Sequence, residues 1–216
     1  MSIEAVLLIT GIIGTIAFSV SGALIAIENK LDLFGVLILG CITACGGGVI
    51  RDVMMHKDIA MFAEPWYCII SLGTGLLVFC MMCILKNLKW ENTKVYKTFF
   101  NITDSIGLGT FVVVGANVAV GQGITHAFPV IFYAVLTAVG GGLIRDLMVM
   151  KIPAIFRKHI YAVAAIIGAG YFFVIDYFGC PYTVSALTTV ILIVIIRYFA
   201  FRFEWSLPKV ALKDTV

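Results

Sequence analysis

Charged residues are scarce in this chain: Asp, Glu, Lys and Arg make up 12% of its 216 residues, whereas 62% are hydrophobic. Average globular proteins carry about 25% charged residues. So few charges cannot cover the surface of a water-soluble domain, and so high an apolar content excludes a disordered chain. The composition therefore excludes a soluble enzyme and predicts a single all-α membrane domain over residues 1–216, with little mass outside the bilayer.

Long segments of the chain contain no charged residue at all. A helix needs about 20 mainly apolar residues to cross a bilayer. The uncharged run of 40 residues from 105 to 144 is too long for one crossing, and Gly121, Gly123 and Pro129 within it predict a turn. Seven membrane-spanning helices result, and they are predicted near residues 4–27, 33–55, 65–85, 102–121, 127–150, 159–177 and 181–199.

Basic residues are distributed unevenly between the predicted loops. Lys and Arg accumulate on the cytoplasmic side of membrane proteins, and 12 of the 15 basic residues lie on one side if the N-terminus is outside. We therefore expect a multi-pass protein of the cell inner membrane with a cytoplasmic C-terminus. The net charge of +3 mostly reflects this bias, so it indicates no nucleic-acid partner. The basic segment 86–97 is expected to meet anionic lipid headgroups.

A glycine-rich motif occurs twice in the chain. Gly-Gly-Gly-Val-Ile-Arg-Asp at residues 46–52 recurs as Gly-Gly-Gly-Leu-Ile-Arg-Asp at residues 140–146, 94 positions later. At the same offset, residues 44–67 match residues 138–161 at 12 of 24 positions. So close a match indicates an internal duplication.

The first predicted helix also matches the fourth, at an offset of 93 residues, with Phe18 matching Phe111 and Gly22 matching Gly115. Because each copy contains three helices, an odd number, the second copy must enter the membrane from the opposite side. Transporters built from such inverted repeats bind their substrates where the repeats meet. The alternative is a duplication retained for packing alone. The predicted parts are repeat 1 (about 4–86), repeat 2 (about 100–178) and an added seventh helix (181–199).

Each copy carries three consecutive glycines inside a predicted membrane helix, where each Gly costs about 1 kcal/mol relative to Ala. Two explanations are possible. Small residues allow helices to pack closely, or the glycines allow a kink that leaves backbone carbonyl groups open to water or an ion. Because a contiguous run covers most of a helical turn, we favour the kink. We predict that an ion pathway passes Gly46, Gly47, Gly48, Gly140, Gly141 and Gly142.

An Arg–Asp pair follows each glycine triplet, as Arg51–Asp52 and Arg145–Asp146. Adjacent residues on a helix do not face each other, so each charge is expected to find a partner elsewhere. Ionisable residues at membrane depth indicate a functional site. The alternative is that both pairs lie at helix ends and extend to the headgroups.

Asp104 offers a specific partner, because it lies near the start of the fourth helix at the same predicted depth as Arg145. We predict an Asp104–Arg145 ion pair. The alternative is that Asp104 stabilises the first turn of its helix through the helix dipole. Gly11 occupies the matching place in repeat 1, so Arg51 cannot use the same arrangement.

Six uncharged polar residues in the predicted helices could line a path for ions. Each could equally bond to its own helix backbone, as Ser and Thr commonly do in membranes. These candidates are Thr15, Ser19, Ser21, Thr43, Asn117 and Thr137.

Sites for other chemistry are not indicated. No nucleophile–base set, phosphate-binding loop or dinucleotide-binding motif is present, so we predict neither catalytic residues nor a cofactor. Cys80 and Cys83, like Cys41 and Cys45, lie in apolar sequence without nearby His or carboxylate residues. They are predicted to be inert buried thiols, and no metal site is expected.

Two Gly-Gly-Gly-x-x-Arg-Asp copies, with Asp104, Gly107 and Ile152-Pro153, resemble the prokaryotic relatives of the TRIC (trimeric intracellular cation) channels, a bacterial family also labelled as glycine transporters. The resemblance spans about residues 4–205. It implies two inverted three-helix repeats plus a seventh helix. It also implies a homotrimer with one pore per protomer, passing the kinked helices 2 and 5 and conducting monovalent cations, chiefly potassium.

This chain departs from some of these relatives in carrying Phe18 where they have an acidic residue in helix 1. The resemblance therefore does not imply that helix 1 of this chain contributes charge-based ion selectivity. A second function stays open beside the channel: a secondary transporter for a small amino acid such as glycine. Both functions need inverted repeats, but a channel needs a continuous polar path with weak binding, whereas a transporter needs one central site.

Overall fold

The computed structural model describes residues 3–85, 94–157 and 160–205. Most of the basic segment predicted to meet lipid headgroups therefore lies outside the described residues. Within the described ranges the chain is entirely helical apart from turns and short connections. The helices are α1 Ile3–Glu28, α2 Leu33–Met54, α3 Ala60–Ala63, α4 Trp66–Leu85, α5 Lys94–Gly121, α6 Ala127–Met148, α7 Ala154–Arg157, α8 Tyr161–Tyr177 and α9 Tyr182–Arg202.

Six of these helices, of 20 to 28 residues, are long and apolar enough to span a membrane: α1, α2, α4, α5, α6 and α9. The apolar α8 is shorter, at 17 residues. Together they fall on the seven predicted segments, whereas the short α3 and α7 were not predicted. Large apolar side chains such as Leu77, Ile84 and Phe128 are more than 70% exposed, as expected for a surface that faces lipid. The protein is therefore an all-helical, multi-pass membrane protein.

The start of α5 differs from the predicted start at residue 102, because the helix already begins at Lys94. The added turns carry Lys94 and Lys97, so hydropathy alone placed the start of the predicted span too late. Tyr96 in this extension is buried, and its hydroxyl donates to the carbonyl of Leu24 in α1, at 3.2 Å. Packing against α1 therefore stabilises the polar start of the helix.

The helices α1 and α5 cross through a reciprocal arrangement of phenylalanine and glycine. The ring of Phe18 lies where a Cβ on Gly107 would be, and the ring of Phe111 lies 3.3 Å from the place of a Cβ on Gly14. The two ring centroids are 5.2 Å apart. The residues that match in sequence at the offset of 93 thus occupy equivalent places in the structure.

The helices α2 and α6 cross at their glycine triplets. A Cβ on Gly47 would overlap the carbonyl oxygen of Thr137, and a Cβ on Gly141 would overlap that of Thr43. All six triplet residues lie in unbroken α-helix. Both helices therefore continue through their triplets without a break, and the kink with exposed carbonyl groups stays a prediction. The central glycine of each triplet allows the two backbones to touch, as the close-packing alternative proposed.

Candidate functional site

A cavity of about 450 Å³ opens on one side of the crossing between α2 and α6. Its walls come from the N-terminal half of α1, the C-terminal halves of α2 and α5, and the segment around α3. Thr137, whose carbonyl group lies against Gly47, is also part of its wall. Other residues of the wall include Leu8, Gly11, Thr15, Cys45, Gly48, Arg51, Asp52, Tyr67, Val114 and Asn117. The cavity therefore reaches the contact between the two halves of the protein.

The Arg51–Asp52 pair lies on the wall of this cavity. Arg51 Nε donates to Asp52 Oδ1 at 2.8 Å, and its Nη2 lies 2.7 Å from the same oxygen. The other carboxylate oxygen accepts from the backbone N–H of Ala60 at 2.9 Å, where it caps α3. The expectation that adjacent charges find separate partners is therefore wrong, because the long guanidinium group bends back onto its neighbour. Arg51 is only 3% exposed, so it does not extend to the headgroups.

The second Arg–Asp pair repeats this geometry. Arg145 Nε donates to Asp146 Oδ1 at 2.9 Å, and Asp146 Oδ2 accepts from the N–H of Ala154 at 2.8 Å. Each Asp therefore connects the end of a long helix to the start of the short helix that follows it. The short helices α3 and α7 occupy matching places in the two halves because matching carboxylates cap them.

Arg145 also makes the predicted ion pair with Asp104. Arg145 Nη1 lies 2.7 Å from Asp104 Oδ1, and both side chains are at most 2% exposed. Ser21 of α1 joins them: Arg145 Nη1 donates to Ser21 Oγ at 2.6 Å, and that hydroxyl donates to Asp104 at 3.0 Å. The helix-dipole alternative does not apply, because Asp104 lies ten residues after the start of α5 at Lys94.

The helix α9 adds a further cation to this buried cluster. Arg197 of α9 is 4% exposed, and its Nη2 donates to Asn101 Oδ1 at 3.0 Å. The same nitrogen lies 3.8 Å from Asp104 Oδ2, and the guanidinium carbon lies 4.5 Å from the centroid of the Tyr161 ring. Arg197 is one of the 12 basic residues expected on the cytoplasmic side, and no sequence pattern assigns it a further role. The missed signal was its position directly after a long uncharged run, still within the last turns of a helix.

The cavity and the ionic cluster are equivalent places in the two halves of the protein. At the offsets of 93 and 94, five cavity residues correspond to five residues in or beside the cluster. These pairs are Leu8 with Asn101, Gly11 with Asp104, Arg51 with Arg145, Tyr67 with Tyr161 and, in the reverse order, Val114 with Ser21. Polar and charged side chains therefore fill in one half the place that an open cavity occupies in the other.

Three of the six predicted pore-lining residues lie on the cavity wall, namely Thr15, Asn117 and Thr137. The other three are used elsewhere. Ser19 donates to the carbonyl of Ser71 in α4 at 2.6 Å, and Thr43 donates to the carbonyl of Leu39 in its own helix at 2.6 Å. Ser21 belongs to the ionic cluster. Of the six triplet glycines, Gly48 lies on the cavity wall.

The charges around the cavity favour cations slightly. Asp52, Glu4 and Glu64 carry negative charge, against Arg51 and Lys57 with positive charge. Because Arg51 is neutralised by Asp52 at 2.7 Å, the two exposed glutamates outweigh Lys57. A cleft with an excess of one sign concentrates ions of the opposite sign.

Comparison with known proteins yields one matching family and several close relatives. The sequence model of a family described as "Glycine transporter" matches residues 8–82 and 101–177. The inner membrane protein YadS of Escherichia coli K12 is 35% identical over 207 residues, which cover 94% of this chain and 95% of that protein. The membrane protein YvgT of Bacillus subtilis is 37% identical over 200 residues, covering 92% and 93%.

Solved structures of TRIC cation channels have the same fold. An orthologue from Rhodobacter sphaeroides is 29% identical with a TM-score of 0.83, and the match covers 93% of this chain and 99% of that one. A prokaryotic TRIC channel in 0.5 M KCl is 30% identical with a TM-score of 0.84, covering 95% and 100%. The match to both extends over nearly the whole chain.

Proposed function

Because the chain belongs to the family described as glycine transporters and is a prokaryotic homologue of the TRIC channels, we propose that it is a potassium-permeable cation channel. Full-length similarity at 30% identity, with a TM-score of 0.83, supports this function. So does the cavity, which carries charged and polar side chains on its wall and reaches the contact between the two halves. Permeation by Na⁺ is expected beside K⁺, and no resident cofactor is required.

The ion pathway in this proposal runs between the two halves of each protomer. It starts in the cavity beside Arg51, passes the crossing of α2 and α6 at Gly47 and Gly141, and ends at the cluster around Asp104 and Arg145. The observation that carries the proposal is the equivalence of cavity and cluster. A pathway through two related halves needs an opening in each, and here one opening exists while charged side chains fill the other.

The conformation described here is closed in this proposal, at the cluster and at the glycine contact. Conduction requires a continuous wet path, and the two backbones that touch at Gly47 and Gly141 leave no room for one. Opening therefore requires α2 and α6 to separate or tilt at the triplets, together with a rearrangement of the Asp104–Arg145 contact. Small residues at a crossing allow such movement without large side chains that must repack.

Membrane placement and assembly belong to the same proposal. The seven spans form two inverted three-helix repeats plus α9, with the N-terminus outside and the C-terminus in the cytoplasm. Three protomers assemble, as the word trimeric in the name of the Rhodobacter sphaeroides orthologue indicates for that protein. Each protomer has its own pore in this proposal. The cavity then opens to the outside, and the ionic cluster faces the cytoplasm.

The second candidate, a glycine transporter, is favoured only by the description of the family. A carboxylate substrate would need a free cation in the cavity, but the guanidinium of Arg51 already binds Asp52 at 2.7 Å, and Lys57 shares the cavity with Glu4 and Glu64. Transporter sites of inverted repeats commonly use broken helices, whereas α2 and α6 are unbroken at their crossing. The geometry therefore supports the channel better.

Two measurements on the purified protein separate these functions. In planar bilayers with symmetric KCl, the channel predicts discrete current steps that need no substrate gradient. In proteoliposomes, the transporter predicts saturable [¹⁴C]glycine counterflow. Glycine counterflow without current steps would overturn the proposal. Protein-free bilayers and protein-free liposomes are the matched blanks for the two measurements.

A further inference from the structure

Three cysteine thiols converge between α2 and α4. Cys41 and Cys45 are one turn apart on α2, and Cys68 joins them from the first turn of α4. All three Sγ atoms lie within 4.8 Å of one another, and those of Cys41 and Cys68 are 3.9 Å apart. Cys41 and Cys45 were predicted to be inert, because nothing in the sequence shows that Cys68 is close.

We propose that this cluster binds one soft monovalent metal ion, Cu(I) or Ag(I), through three sulfur ligands. Metal–sulfur bonds in proteins are about 2.3 Å long, so three sulfurs around one ion lie about 4 Å apart. The 3.9 Å between Cys41 and Cys68 already equals that separation. Thiolate sulfur is also the ligand type that selects Cu(I) over hard cations such as K⁺.

The number of ligands favours a monovalent ion over zinc at this place. One thiolate and two thiols around Cu(I) form a neutral unit, which avoids a costly net charge in an apolar environment. Zinc prefers four ligands. Within the described ranges, the group of ligand atoms around these cysteines includes no histidine or carboxylate that could supply the fourth.

The cavity gives metal ions a route to the cluster. Cys45 lies on the cavity wall, so an ion that enters from water meets this thiol first. One thiol releases its proton to the water of the cavity when the ion binds, which keeps the site neutral. A bound ion would tie α2 to α4 directly before the triplet that starts at Gly46. The site does not depend on ion conduction.

The experiment uses the full chain in detergent, kept reduced and anaerobic, and a competition for Cu(I) with the coloured chelator bathocuproine disulfonate. Because Cys80, Cys83 and Cys180 are exposed thiols that could bind copper themselves, the starting protein is the triple variant C80S/C83S/C180S. We expect it to take up one Cu(I) per chain. Adding Cys68→Ser should weaken Cu(I) binding at least about tenfold. Even the loss of a group that only hydrogen-bonds to a metal ligand lowers metal affinity by about 10–100-fold.

X-ray absorption at the copper edge of the triple variant provides a readout that does not depend on a second variant being folded. Three sulfur neighbours per copper support the proposal. Two sulfurs, or nitrogen or oxygen neighbours, would overturn it, as would failure of the triple variant to compete for Cu(I). Equal affinity with and without Cys68 would overturn it as well. Size-exclusion elution and the thermal midpoint verify that each variant is folded.

Discussion

Asp104 Oδ1 lies 2.7 Å from Arg145 Nη1 in one half of the protein, and the equivalent place beside Arg51 holds Gly11, which has no side chain. This single difference accounts for much of the asymmetry between the halves. Arg145 is bound from two sides, by Asp146 and by Asp104, so it fills its end of the pathway. Arg51 binds only Asp52 among these carboxylates, and a cavity remains beside it.

Neutralising Asp104 tests the role of this contact. Asp104→Asn leaves two buried guanidinium groups without their shared carboxylate, and breaking a buried ion pair typically costs about 3–5 kcal/mol. We expect a lower thermal midpoint in detergent and, because the closure is weakened, a higher open probability in bilayers. The exposed Asp58→Asn is the matched control. Unchanged stability together with unchanged gating would show that the contact closes nothing.

Arg197 should couple energetically to Asp104, although the two residues lie on different helices. Arg197→Met removes the bond to Asn101 and the second cation near Asp104. Residues in one hydrogen-bond and charge network typically show interaction energies of about 0.5–3 kcal/mol. A double-mutant cycle with Asp104→Asn, measured from thermal midpoints, is expected to be non-additive. The exposed Arg202→Met is the control and should be additive with Asp104→Asn. If Arg197→Met is equally additive, α9 only packs against the repeats.

The crossing of α2 and α6 should not tolerate a methyl group. Gly47→Ala and Gly141→Ala each place a Cβ on a backbone carbonyl oxygen that cannot move without its helix. Overpacking of this kind typically costs about 1–3 kcal/mol. Gly73→Ala is the control, because nothing lies within 4 Å of its Cβ and Ala is the better helix former. A thermal midpoint for both crossing variants as high as that of Gly73→Ala would disprove the contact.

The cavity should close if the cluster is rebuilt in the first half. Gly11→Asp places a carboxylate beside Arg51, as Asp104 stands beside Arg145, and the nearest obstacle is the hydroxyl end of Tyr67 at 3.0 Å from the new Cβ. We expect a severalfold lower single-channel conductance. Gly11→Asn adds nearly the same volume without charge and should reduce it less. Equal currents for wild type and Gly11→Asp would show that ions do not pass this place.

The spans and the Asp104–Arg145 contact could be predicted from the sequence because both follow from one-dimensional information. Hydropathy locates the apolar helices, and the 94-residue repeat aligns residues that share a depth in the membrane. An unpaired acid and an unpaired base at one depth then find each other, since each is costly alone. The same alignment places Gly11 at the position equivalent to Asp104, which explains why Arg51 lacks the second carboxylate partner that Arg145 has.

Other features depend on side-chain direction and on which helices become neighbours. Arg51 bends back to Asp52 because a long guanidinium group can reach around the helix, which residue spacing alone does not reveal. Cys68 meets Cys41 only because α4 packs on α2 at that depth. The contiguous glycines favour a kink in the sequence, and only the position of Thr137 opposite Gly47 shows that the two backbones touch there.

The most direct test of cation conduction is the reversal potential of the wild-type protein in a planar bilayer with a tenfold KCl gradient. We predict single-channel steps that reverse near the potassium equilibrium potential, about 59 mV from zero at 25 °C for one charge. Three results would contradict a cation pathway between the two halves. These are reversal near zero, reversal at the chloride potential of opposite sign, and the absence of steps in protein that elutes as a folded species.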